Sequence, residues 1–330
     1  MGVPALDLYC LPCAGASASV YLRWRRRLPA WIKVLPLELP GRGMRLGEPL
    51  VEDFQTLVEQ LCEEIAQGRH GGRQFGRQFG AQSSEQSGKH SSAHSNKNGD
   101  KPGGRHSGRQ DGKHRSNYAG APGDTATENY RWAILGHSLG GLLAYGITAR
   151  LQSLRAAIPA PSISASSVSV PATPAPSTPA LPMPQRLLVA ASPAPSRQDP
   201  DELPDTHDDA ALIADLRKQG GTPREVFDSP ELLALTLRTL RADYRVCESF
   251  EHRGNAPLAA PIQVLAGRDD DIEAHRIEAW RDEAGDGFAL RWFDGGHFFI
   301  REQEKPVLAV LEHSLGKLIP GGGNACAASA

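Results

Sequence analysis

The feature that most constrains the fold of this 330-residue chain is a serine set between an apolar run and a helical segment. The run Arg131–Leu135 indicates a buried strand, and residues 142–154 have a helix-forming composition. Between them stands Gly136-His137-Ser138-Leu139-Gly140-Gly141, with no room for a loop. A strand that turns directly into a helix strains the serine backbone, so the residues two positions away must be small. The pattern predicts a nucleophile elbow, in which the Leu139 N–H supplies half of an oxyanion hole.

A serine hydroxyl becomes nucleophilic only when a base removes its proton, and that base must be held by a carboxylate. His297 follows the last predicted strand in a Gly-Gly-His turn, where a loop would present it. Three adjacent aspartates follow the preceding strand, and spacing from Gly267 favours Asp270, with Asp269 as the second candidate. The chain order Ser138, Asp270, His297 is the order found in α/β hydrolases. The sequence therefore predicts a Ser-His-Asp triad.

Predicted strands and helices alternate along the rest of the ordered chain, which indicates one α/β domain. The predicted strands are 5–11, 32–39, 131–135, 186–191, 262–266 and 289–293. The predicted helices are 51–67, 142–154, two patterns within 201–245, 274–283 and 306–318, and an amphipathic segment covers 17–28.

Two segments differ in composition from the rest and are predicted to be disordered insertions. Residues 68–130 are rich in Gly, Ser, His, Lys, Arg and Gln, and carry five more basic than acidic residues. Residues 156–185 form a linker with eight prolines and no charge. Neither segment can bury enough apolar surface to offset the entropy of ordering. The rest of the chain has a net charge of −7, which argues against a nucleic-acid-binding core.

The cysteines and the lack of a long apolar run exclude disulfide-stapled and membrane-spanning proteins. Cys10, Cys13, Cys62, Cys247 and Cys326 are odd in number and scattered, so we expect reduced thiols in a cytoplasmic protein. The Cys-x-x-Cys spacing of the first two is typical of redox and metal sites, but no helix pattern begins at the first of them. Buried or loop thiols are the favoured interpretation, and we expect no metal, no cofactor and no membrane contact.

Several motifs around the elbow carry a resemblance to a known family. They are Leu11-Pro-Cys-Ala-Gly-Ala-Ser17 with Trp24, Leu39-Pro-Gly-Arg-Gly43 with Arg45, Gly136-His-Ser-Leu-Gly-Gly141, Leu240-Arg-Ala-Asp-Tyr244 and Gly295-Gly-His-Phe-Phe299. In this order, and across nearly all of the ordered residues, the chain resembles the type II thioesterases of nonribosomal peptide and polyketide synthases. It departs from them in both insertions and at Asp271, where a proline often follows the catalytic aspartate.

The resemblance implies an α/β-hydrolase fold, with a mostly parallel central sheet flanked by helices, as a single domain over residues 1–330. Helices within 199–250 would form a lid over the acyl and pantetheine channel. Residues 320–330 are expected to be a flexible tail.

The implied reaction is hydrolysis of aberrant or stalled acyl thioesters on the phosphopantetheine arm of carrier proteins. Ser138 would attack the thioester, His297 and Asp270 would handle its proton, and the amides of Ala14 and Leu139 would hold the oxyanion. The expected partners are carrier-protein domains of a synthase, with no nucleic acid, and we expect a monomer.

A basic cluster near the oxyanion loop offers a hypothesis for carrier binding. Arg23, Arg25, Arg26 and Arg27 would help to receive an acidic carrier protein, although a solvated helix face is the simpler interpretation.

Other functions fit parts of the same sequence. A carboxylesterase or lipase would use the same triad on oxygen esters, and an acyltransferase would pass the acyl group to another thiol instead of water. A vestigial hydrolase that binds polyanions through the basic insertion is an alternative from a different class. The intact Ser138, Asp270 and His297 argue against that last alternative.

Overall fold

The computed structural model describes residues 5–70, 130–157 and 181–319, and these form a six-stranded sheet in which every pairing is parallel. The spatial order of the strands is β2-β1-β3-β4-β5-β6. The strands are β1 Leu6–Leu11, β2 Ile32–Pro36, β3 Trp132–His137, β4 Leu187–Ala190, β5 Ile262–Gly267 and β6 Phe288–Phe293. The six predicted strands and the parallel sheet are therefore confirmed.

Helices cover both faces of this sheet. They are α1 Phe54–His70, α2 Leu139–Ala156, α3 Asp209–Gln219, α4 Arg224–Asp228, α5 Pro230–Glu248, α6 Ala274–Glu278, α7 Phe299–Glu302 and α8 Glu304–Gly316. The amphipathic segment 17–28 forms the 3₁₀ helix Ala18–Arg26, and the predicted helix 274–283 is α6 continued by the 3₁₀ turn Ala279–Arg281.

Burial explains why the central strands read as continuous apolar runs. Every residue of β3, β4 and β5 is buried, as expected for parallel strands covered on both faces. β6 lies at the edge and alternates half-buried with exposed residues before Phe293. One cluster of buried side chains packs α1 and α2 against one face, and a second packs α8 and the 3₁₀ helix Ala18–Arg26 against the other.

The region predicted as a lid contains three helices, where the sequence pattern indicated two. α3 ends at Gly220, whose φ of +76° gives the left-handed cap that glycine favours. The short helix α4 then follows Pro223. α5 begins as predicted, with the Ser229 side chain accepting a hydrogen bond from the Leu232 N–H and Pro230 in the first turn. The five residues of α4 are too few to show a helical period in the sequence.

Most of the predicted insertions and tail lie outside the described residues. This holds for 71–129 of the basic segment, 158–180 of the proline-rich linker, and 320–330. The edges of both insertions are described: α1 continues through 70, α2 continues through Ala156, and residues 130 and 181–185 lead into β3 and β4.

Candidate active site

The elbow at Ser138 is held by the sheet beneath it. Ser138 has φ 55° and ψ −121° and directly precedes α2, so this non-glycine residue carries the backbone strain that the motif predicts. Its N–H donates to the Ala190 carbonyl at 2.8 Å. A Cβ on Gly136 would overlap the Gly140 carbonyl, and a Cβ on Gly140 would overlap the Leu11 carbonyl. Both glycines are therefore required by close backbone approach.

A histidine and an aspartate meet at the carboxyl end of the sheet. Asp270 follows β5 and His297 follows β6, and the last residues of these strands, Gly267 and Phe293, are paired. The His297 Nδ1 lies 3.1 Å from Oδ2 and 3.2 Å from Oδ1 of Asp270. Because the carboxylate can only accept, Nδ1 carries a proton, and in the neutral ring Nε2 then presents its lone pair. The two side chains are 12 % and 5 % exposed, which shields this contact from water.

The structure separates the three adjacent aspartates, which the sequence left ambiguous. Asp269 accepts a hydrogen bond from the Gly295 N–H at 3.2 Å and therefore stabilises the loop before His297. Asp271 points to the lid and pairs with Lys218 at 3.0 Å, with both side chains 64 % exposed. Only Asp270 among these three contacts the histidine ring.

His137, which precedes Ser138, binds the backbone of the loop that carries His297. Its Nε2 lies 2.9 Å from the His297 carbonyl, and its side chain is buried. Burial, followed by the nearby His297, lowers the pKa of His137 to about 3. The ring is therefore neutral at pH 7 and donates this hydrogen bond. The sequence placed His137 beside the serine, but it gave no sign of a partner 160 residues away.

Ala14 and Leu139, the two predicted oxyanion donors, reach the same cavity as the triad. The loop that carries Ala14 continues β1, and Leu11 at the end of β1 pairs with Gly136 of β3, so the loop lies beside the elbow. A turn closes this loop, because the Ala16 N–H donates to the Cys13 carbonyl at 3.2 Å.

One cavity of about 820 Å³ joins these groups to the lid. Ser138, Asp270, His297, Ala14 and Leu139 all line it. The lid side adds apolar walls from Leu216, Val226 and Leu240, together with a hydrogen bond from the Tyr244 hydroxyl to Asp215. Two ion pairs lie at the boundary between the lid and the rest of the cavity. One joins Lys218 to Asp271, and the other joins Arg276 to Glu202. The space accommodates a ligand with an apolar part and a polar reactive group.

Three arginines of the basic cluster contact neighbouring parts of the same chain. Arg23 and Arg27 both pair with the buried carboxylate of Glu304, and the Arg25 Nε donates to the Val34 carbonyl at 3.1 Å. Arg23, Arg25 and Arg27 therefore bind groups of this chain, and carrier binding by the cluster stays a hypothesis.

The described cysteines are free thiols, and none of them forms a disulfide with another described cysteine. Cys10 and Cys13 are both buried, and burial raises the pKa of Cys13 to about 11. Thiols with raised pKa values are poor nucleophiles and poor metal ligands at neutral pH. Within 5–70, 130–157 and 181–319, no group of three or more His, Cys, Asp or Glu side chains has the arrangement of a metal site. Among those same residues, no helix combines the length and apolar character needed to cross a bilayer.

Comparison with protein families places this site in context. The model of the thioesterase domain family matches residues 7–72 and 117–318, which is most of the chain.

Individual relatives and a solved structure match over most of the chain. The chain is 28 % identical to thioesterase PikA5 of Streptomyces venezuelae over 91 % of this chain and 77 % of that protein. It is 24 % identical to linear gramicidin dehydrogenase LgrE of Brevibacillus parabrevis over 95 % and 89 %. The structure of the type II thioesterase BorB from the borrelidin biosynthetic cluster superposes with a TM-score of 0.62, at 26 % identity, over 95 % of this chain and 94 % of that one. The predicted α/β-hydrolase fold is confirmed.

Proposed function

Because this chain belongs to the thioesterase domain family, we propose that it hydrolyses acyl thioesters on the phosphopantetheine arm of synthase carrier proteins. The enzyme is a thioesterase of the kind found with nonribosomal peptide and polyketide synthases, as the titles of structural relatives from NRPS/PKS pathways indicate. Its proposed task is to remove aberrant or stalled acyl groups. The proposed partners are carrier-protein domains.

The observation that carries the proposed mechanism is the convergence of Ser138, His297 and Asp270 on one cavity. His297, oriented by Asp270 through Nδ1, would take the Ser138 proton on Nε2 as the oxygen attacks the thioester carbonyl. The tetrahedral intermediate would collapse to an acyl-serine, and the pantetheine thiol would leave with the proton from His297. Water activated by the same histidine would then release the acid and restore Ser138.

Charge that develops on the carbonyl oxygen needs donors fixed in advance. We assign these to the backbone N–H groups of Leu139, at the start of α2, and Ala14. Fixed donors in a site shielded from water stabilise an oxyanion more than mobile water does, because they need no reorientation during the reaction. The cycle uses only side chains, backbone amides and water, so the proposal includes no cofactor.

The proposal extends to oligomeric state and location. We propose a monomer that works in the cytoplasm, with free thiols at Cys10, Cys13, Cys62 and Cys247.

The test is hydrolysis of an acetyl-loaded carrier protein by the wild type and by Ser138→Ala, followed as the intact mass of the carrier. We expect the wild type to restore the free phosphopantetheine thiol, and the variant to lose activity by about 10⁵-fold or more. A p-nitrophenyl ester serves as the comparison substrate. Cleavage of that ester with no release from the carrier would instead identify a carboxylesterase, and transfer to an added thiol in place of water would identify an acyltransferase.

A further inference from the structure

A buried ion pair lies behind the loop that carries Ala14. The Arg42 guanidinium donates two hydrogen bonds, each 2.5 Å long, to the two carboxylate oxygens of Asp243. The Arg42 side chain is 7 % exposed and the Asp243 side chain 1 %. This pair joins the Pro-Gly-Arg-Gly and Arg-Ala-Asp-Tyr motifs, which are 201 residues apart and have no place in the mechanism above.

The pair binds the backbone of the oxyanion loop directly. The Gly15 N–H donates to Asp243 Oδ2 at 2.7 Å, and an Arg42 N–H donates to the Ala16 carbonyl at 3.4 Å. Gly15 has φ +71°, a left-handed conformation that glycine adopts without strain. Hydrogen bonds with the pair therefore hold the loop on both sides of the Gly15–Ala16 peptide.

These contacts, together with one hydrogen bond of the turn, restrict the direction of the Ala14 N–H. The Asp243 bond fixes the peptide plane after Ala14, since Gly15 N belongs to that plane. The bond from the Ala16 N–H to the Cys13 carbonyl fixes the plane before it. N–H and C=O point in opposite directions across a planar trans peptide, so the orientation of the Cys13 carbonyl sets that of the Ala14 amide.

Charge balance explains why the carboxylate is paired. A lone carboxylate behind an oxyanion hole would repel the negative charge that develops in the transition state. The bidentate guanidinium offsets the charge of Asp243 while leaving it free to accept from Gly15. Stability alone does not account for the arrangement, because apolar residues often replace a buried ion pair with little loss of folding free energy.

We propose that Arg42 and Asp243 are positioning residues that hold the Ala14 amide in place to receive the oxyanion. The inference rests on the proposed function only for the identity of the substrate, since the same oxyanion hole would serve an oxygen ester. Asp243 lies on α5, whose Leu240 and Tyr244 line the cavity, so the pair also ties the lid to the oxyanion loop.

The experiment uses two substitutions of the pair in the full chain. Asp243→Asn removes the negative charge but leaves Arg42 buried, so it is expected to destabilise the protein. The double variant Arg42→Met with Asp243→Leu removes both charges and is expected to keep the fold. The matched control is Glu304→Gln, which disturbs another buried carboxylate that binds arginines but does not line the active-site cavity.

The informative readout is affinity for a transition-state analogue compared with affinity for substrate. An acyl-pantetheine trifluoromethyl ketone is attacked by Ser138, its carbonyl π electrons become an oxyanion, and the serine proton moves to His297. In the folded double variant we expect kcat to fall by roughly 10²-fold and the inhibition constant of the ketone to rise by a similar factor. The Kd of acetyl-loaded carrier, measured in a Ser138→Ala background, should stay within about twofold, while Glu304→Gln should change neither constant.

Two results would overturn the proposal. One is a folded double variant with the wild-type kcat; the other is an equal loss of affinity for ketone and carrier, which would indicate general disruption of the cavity. Each measurement is repeated with p-nitrophenyl butyrate. If the wild type cleaves that ester but not the carrier thioester, the proposed function fails while the role of Arg42 and Asp243 is still tested.

Discussion

The two sides of the active-site cavity are built by different physical means. The sheet side comprises the loops that carry Ala14, Ser138, Asp270 and His297. The first three loops follow strands that are mostly or fully buried, and the His297 loop follows the edge strand β6, whose last residue Phe293 is buried. The lid side comprises α3, α4 and α5. Apart from the buried Arg42–Asp243 pair, the ion pairs that link it to its surroundings are partly exposed. Buried strands fix atoms to within the tolerance that proton transfer needs, whereas exposed pairs contribute little to rigidity. The chemistry is therefore expected to depend on the sheet side and the choice of acyl group on the lid side.

Exchange of single aspartates on the sheet side gives the largest expected effect. Asp270→Asn removes the charge that orients and stabilises the His297 ring, so we expect kcat to fall by about 10⁴-fold. The matched control is Asp269→Asn, which weakens only a hydrogen bond from the Gly295 N–H and should cost less than about tenfold. The measurement is steady-state hydrolysis of acetyl-loaded carrier. Equal losses in the two variants would show that the loop, rather than one carboxylate, orients the histidine.

Sequence patterns predicted the sheet side well because its determinants are local. Six apolar runs gave the six strands, and the glycines around Ser138 marked a turn that only small residues permit. Asp270 could only be ranked above Asp269 from the sequence, because the distinction depends on which side chain reaches the His297 ring. The ion pair between Arg42 and Asp243 could not be predicted from the sequence, because nothing local in either motif specifies a contact across 201 residues.

The lid side was predicted less accurately for physical reasons. α3 has a weak apolar periodicity, and α4 is barely more than one turn, whereas the strongly amphipathic α5 was predicted with its N-terminal cap. The role given to the arginines near Trp24 illustrates the same limit. The sequence favoured a solvated helix face over a docking surface, and it did not reveal that Arg23 and Arg27 pair with Glu304, which is distant in the sequence.

Acidification is expected to destabilise the sheet side through His137. Burial lowers the pKa of this histidine to about 3, whereas it titrates near 6.5 in the unfolded chain. Below pH 6.5 His137 therefore becomes protonated in the unfolded state but stays neutral in the folded state. The free energy of unfolding falls as the pH falls toward 3. We expect a loss of about 2 kcal/mol between pH 7 and pH 5 from this group.

Urea unfolding at the two pH values, at constant ionic strength, measures this loss. His137→Asn should reduce the difference in unfolding free energy between pH 7 and pH 5 by most of that amount. The exposed His313→Asn serves as the control and should leave it unchanged. A His137→Asn variant with the full wild-type pH dependence would contradict the assignment.

Substitution of a glycine on the lid side tests whether a change in the lid displaces groups on the sheet side. A Cβ on Gly221 would overlap the ring of Phe298, which lies 5.5 Å from the His297 ring and 5.4 Å from the His137 ring between centroids. We expect Gly221→Ala to displace Phe298 and lower kcat by about tenfold, because small misplacements of catalytic groups are costly.

The neighbouring glycine provides a matched control. Gly220→Ala meets no atom within 4 Å but strains a φ of +76°, so it should cost about 1 kcal/mol of unfolding free energy with little change in kcat. If Gly221→Ala kept wild-type kcat, the lid would be shown to act on substrate selection alone.

The smallest effect is expected from the exposed ion pair that joins the lid to the aspartate loop. Lys218→Met removes the contact with Asp271, and both side chains are 64 % exposed. Solvent and salt screen such pairs, so the free energy of unfolding should change by less than about 1 kcal/mol and kcat/KM by less than about threefold. Asp271→Asn should give the same small change, and neither should add to the other because they remove one interaction. A large, salt-insensitive loss in either variant would mean that the lid holds Asp270 in place through its neighbour, and the division between the two sides would then fail.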